Sequence, residues 1–75
     1  DVDQVALCTW YGLSPREAEL AARFVSGTPL AEYAIEMGVS MATVSTQFSH
    51  IKTKLGAADQ AAVVRKILRV AALTR

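Results

Sequence analysis

Apolar residues recur at helical spacing along most of the chain after Leu13. The pattern is sharpest at Val44, Phe48, Ile51 and Leu55, which are four, three and four residues apart and make one buried stripe. The other side of the same segment is small and polar, with Ala42, Ser45, Thr46 and Ser49. No stretch alternates with period two for long enough to predict a strand. The pattern therefore predicts an all-α fold of four helices joined by short turns.

Start and stop signals frame these helices. The first predicted helix opens with Ser14 as N-cap, Pro15 at the first helical position and Glu17 completing a capping box. Leu20, Ala21, Phe24 and Val25 form its apolar face, and Gly27 stops it. The second runs roughly from Leu30 to Met37, with Thr28 to cap it, Pro29 to open it and Gly38 to end it. Tyr33, Ala34 and Met37 make its inward stripe. Ser40 caps the third, which runs to about Leu55 and stops at Gly56. Asp59 caps the fourth, from about Gln60 to Leu73. Residues 1–13 show no clear helical period and read as the end of a linker with a short turn or extended piece. The predicted organisation is thus a linker over 1–13 and one helical domain over 14–75.

A short helix, the tight Gly38-Val39-Ser40 turn and a second amphipathic helix form the helix-turn-helix pattern, whose second helix reads the DNA major groove. Stepping about 100° per residue away from the buried stripe places Ala42, Thr46, Ser49 and Thr53 on the opposite face. Ser45 and Lys52 flank it on one side, His50 and Lys54 on the other. The N-terminal part of such a helix contacts base edges, so Ser45, Thr46 and Ser49 are the candidate base contacts. Thr43, Lys52, Lys54 and the backbone N–H groups near Met41 to Thr43 are the candidate phosphate contacts, since helix N-termini attract phosphate. Solvated surface is the plainer reading of Ser and Thr on an exposed helix; the turn before them argues for the groove.

Charge adds to that picture. The chain's net +1 hides a division: six acidic residues against two arginines give −4 over residues 1–37, and six basic residues against Asp59 give +5 over 38–75. A basic half suits a polyanionic partner, although exposed helix faces carry charge in any case. One cysteine, Cys8, allows no internal disulfide and fits a reducing compartment. His50 has no second histidine, so no metal site is expected. No apolar run approaches the roughly 18 residues of a membrane span. The first residue is Asp1, not Met, which reads as a fragment or processed piece.

From Leu13 to about Leu68 the order of motifs resembles the LuxR-type, or GerE-like, helix-turn-helix domain. Leu13-Ser14-Pro15-Arg16-Glu17-Ala18-Glu19 is similar to that family's opening L-[ST]-P-R-E-x-E. Gly27, Glu32-Tyr33-Ala34, Val39-Ser40-Met41-Ala42-Thr43-Val44 and Lys54-Leu55-Gly56 follow in the family's order. The resemblance implies a cytoplasmic bacterial transcription regulator that binds double-stranded DNA. It implies no enzymatic activity and no cofactor. It further implies an upstream sensory or receiver domain and a homodimer formed through the fourth helix. In that helix Val64, Leu68 and Ala71 read as a core stripe, and Val63, Ile67 and Val70 widen the apolar arc and are the candidate dimer contacts. An upstream domain or residues 1–13 would cover the same arc equally well. The chain departs from the family at Ser45 and Thr53, positions often basic, and at Pro29-Leu30-Ala31, where polar or basic residues are usual.

Two other functions compete. The missing basic residues favour a helix-turn-helix turned protein-interaction module, whereas the small polar outer face lacks the large anchors such an interface uses. A sigma-factor region-4-like promoter reader shares the core and a similar opening. No nucleophile, base and acid set and no Gly-rich phosphate loop speaks for an enzyme.

Overall fold

The computed structural model describes residues 3–73. It consists of five helices: α1 (Gln4–Tyr11), α2 (Pro15–Val25), α3 (Leu30–Met37), α4 (Met41–Leu55) and α5 (Gln60–Leu73). Among the described residues there is no strand. The all-α expectation holds, but among the described residues the helices number five, not four.

The additional helix is α1, in the stretch expected to be linker. Asp3 is its N-cap and accepts from the Val5 and Ala6 N–H groups at 3.0 and 3.2 Å. Gly12 ends it in the left-handed conformation (φ 69°), where its N–H reaches the Cys8 carbonyl. Ala6 and Leu7 are buried and Val5 and Trp10 are exposed, and α1 packs on α2 and α5.

The other boundaries follow their signals, with one exception. Ser14 and Glu17 form the capping box of α2. Thr28 does not cap α3: its N–H donates to the Arg23 carbonyl (3.0 Å) and closes the end of α2. Pro29 is the N-cap of α3, with extended backbone and no side-chain cap bond. Gly38 (φ 68°) makes the turn into α4, a conformation that costs a residue with a Cβ more than it costs glycine. Ser40 Oγ accepts the Thr43 N–H at the start of α4, and Asp59 Oδ1 accepts the Ala62 N–H at the start of α5.

Leu7, Leu20, Tyr33, Val44, Ile51 and Ile67 centre the core, so every helix contributes. Val44, Phe48, Ile51 and Leu55 are all buried, as their spacing predicts. Phe24 of α2 meets Phe48 edge to face at 4.9 Å between ring centroids. Helix α5 reverses the expected assignment. Val63, Ile67 and Val70 are 0, 0 and 2 % exposed, whereas Leu68 is 51 % exposed and Val64 and Ala71 are half-buried. The three candidate dimer residues are therefore core residues, and no partner subunit can reach them while the domain stays folded.

Candidate nucleic-acid interface

The buried stripe of α4 fixes what the helix shows outside. Ala42, Thr43, Ser45, Thr46, Ser49 and His50 are exposed and Gln47 is half-buried. The three candidate base contacts, Ser45, Thr46 and Ser49, thus share one solvent-facing surface. A shallow furrow of about 330 Å³ lies on one flank of it, lined by Ala42, Thr43, Thr46, Gln47 and His50, so that of the three candidates only Thr46 borders it.

The candidate phosphate contacts divide. Thr43 is drawn into the cap, with its Oγ1 3.0 Å from Ser40 Oγ and its N–H donating to that same oxygen at 3.1 Å. Lys52 is half-buried over the Phe48 ring, its Nζ 5.9 Å from the centroid, and forms no ion pair with any described residue. Lys54 is committed elsewhere: its Nζ donates to Glu17 Oε1 at 2.7 Å. That oxygen also accepts the Ser14 N–H at 2.9 Å. Burial pushes the Glu17 carboxyl pKa up, but the Lys54 and Ser14 hydrogen bonds and the Lys54 charge outweigh it and hold the pKa below its ordinary value of 4.5. The Lys54 ammonium thus ties the last turn of α4 to the start of α2.

A second polar cluster braces α3. Tyr33 is buried, and its hydroxyl donates to Glu19 Oε1 at 3.1 Å. Burial and that bond to a carboxylate raise the tyrosine's pKa. The Arg23 guanidinium pairs with Glu36 and lies 5.9 Å from the centroid of the Tyr33 ring. The outer side of α3 carries Ala31, Glu32 and Ile35 and no basic residue. Among the described residues no group of three or more His, Cys, Asp or Glu gathers where it could hold a metal.

The model of the family GerE, "Bacterial regulatory proteins, luxR family", matches residues 11–67. The chain belongs to the luxR family of bacterial regulatory proteins. It is accordingly a DNA-binding helix-turn-helix domain of a transcription regulator. The family match begins at Tyr11, so α1 lies almost wholly ahead of it. No curated protein and no solved structure matches the chain. Among the described residues no helix of this luxR-family domain is long and apolar enough to cross a membrane.

Sequence reasoning overlooked Gln47 as a candidate, although its position beside Thr46 and His50 was there to be read. It also had no means to find the Glu17–Lys54 pair, whose partners are 37 residues apart.

Proposed function

We propose that this domain binds double-stranded DNA sequence-specifically and regulates transcription in the bacterial cytoplasm, with α4 in the major groove. The observation that carries this reading is the exposed, uncharged surface of α4 inside a luxR-family helix-turn-helix. Ser45, Thr46 and Ser49 contact base edges, where hydroxyls are permissive donors and acceptors. Lys52 and the Met41 and Ala42 N–H groups at the capped start of α4 contact phosphate and fix the register. Thr43 and Lys54, both bonded within the chain, position α4 instead.

The domain works as a homodimer whose contact is the outer seam of α5, Ala61, Val64, Leu68 and Ala72, flanked by Arg65 and Arg69. It serves as the effector of a regulator whose upstream domain senses the signal. With few cations on its DNA face, one copy binds weakly, and pairing supplies much of the useful affinity. A salt titration checks this: tight binding by the monomer would refute it.

One observation favours a second reading. Ile35 is 80 % exposed on an α3 surface that bears Glu32 and no cation. A helix-turn-helix used as a protein-interaction module would present such a face to a partner. Selection of DNA by the domain from a randomised duplex pool decides between the two: an enriched short inverted repeat supports DNA reading, and no enrichment supports the module.

A further inference from the structure

From Met41 to Ile51 the chain contains no Lys, Arg, Asp or Glu. Guanine read by Arg or Lys and cytosine read by a carboxylate are therefore not open to the part of α4 that meets base edges. Thr43 is bonded to Ser40, and Thr53 Oγ1 donates to the Ser49 carbonyl at 3.1 Å. The side chains of Ser45, Thr46, Gln47, Ser49 and His50 form no hydrogen bond with any described residue. Of these five, the hydroxyls discriminate poorly between bases, and the imidazole offers a base one ring nitrogen at a time. Gln47 alone holds a donor and an acceptor side by side in one planar amide, the pair that adenine N7 and N6–H require.

Gln47 also lines the furrow with Ala42, Thr43, Thr46 and His50. Alanine brings only a methyl group there, and each threonine brings one. An A·T pair shows adenine's N7 and N6–H and thymine's C5-methyl on the same major-groove edge. An amide beside a methyl-lined furrow matches that edge.

We propose that Gln47 is a specificity-determining residue that reads adenine, and that the furrow beside it seats the C5-methyl of the paired or neighbouring thymine. The inference rests on α4 being the helix that enters the major groove. The whole 75-residue chain is first used to select duplexes from a randomised pool, and binding to the enriched site is then measured with thymines replaced one at a time by deoxyuridine. Deoxyuridine keeps every hydrogen bond and removes the methyl. At one or more positions the replacement weakens binding about three- to fivefold, the worth of one buried methyl group. Thr46→Ser, which keeps the hydroxyl and removes the methyl, shrinks that difference. Gln47→Ala weakens binding to the A·T-bearing site about tenfold or more and flattens the preference for adenine at that position, with the helical circular dichroism unchanged. An enriched site indifferent to deoxyuridine and to Gln47→Ala overturns this inference and leaves α4 as a reader through other residues. No enriched site at all overturns the reading of α4 and this inference with it.

Discussion

Single side chains in this domain divide into those that hold helices together and those proposed to read DNA, and their hydrogen bonds separate the two. Glu17 belongs to the first group: one carboxylate oxygen holds both the N-cap of α2 and Lys54 of α4. Because its pKa is lowered on folding, the pair contributes stability above the unfolded pKa and loses it as pH falls through the folded value. Urea melts between roughly pH 3 and 7 should show stability falling at the acid end, with a smaller fall in Glu17→Gln. Ser14→Ala removes the reciprocal cap and should cost about 1 kcal/mol in the same melts. The two lysines on α4 should separate cleanly in DNA binding. Lys52→Ala lowers the salt slope by about one ion, as loss of one phosphate contact does. Lys54→Ala leaves that slope unchanged and lowers the melting temperature instead. Equal slopes for Lys52→Ala and the wild type would remove Lys52 from the interface.

Among the helices, those with strong local grammar were legible and those defined by their neighbours were not. Helix α4 shows in the sequence because its buried positions fall on one i, i+4, i+7 row between Ser40 and Gly56. Helix α1 does not: its two buried residues, Ala6 and Leu7, are adjacent, and Val5 and Trp10 point to solvent. Its cap signals, Asp3 and Gly12, were present but had no amphipathic row to frame. The reversal in α5 has a separate cause. Both halves of its arc are apolar, and which half faces inward depends on what lies against it. Leu7→Ala should cost about 2–5 kcal/mol, the cost of emptying a core site, if α1 is part of the folded unit. Leu68→Glu should leave the melting temperature near the wild type and abolish dimers in sedimentation, whereas Val63→Glu should unfold the domain.

For the molecule as a whole, the fold leaves the polar face of α4 from Ala42 to His50 exposed and free of charge, and it places the Lys54–Glu17 and Arg23–Glu36 pairs between helices. The family, the all-α class and the solvent-facing side of α4 were readable from short motifs at fixed offsets. The pairings of Lys54 with Glu17 and of Tyr33 with Glu19 were not, because they join residues distant in sequence through the packing of separate helices. The measurement that tests the account most directly is selection from a randomised duplex pool by the wild type and by Ser45→Ala/Thr46→Ala in parallel, at concentrations that permit dimers. The wild type should enrich a short inverted repeat, and the double variant, equally helical and equally stable, should lose that preference while keeping salt-sensitive background binding. An unchanged motif in the double variant, or no motif in either protein, would contradict the assignment of α4 as the reader of sequence.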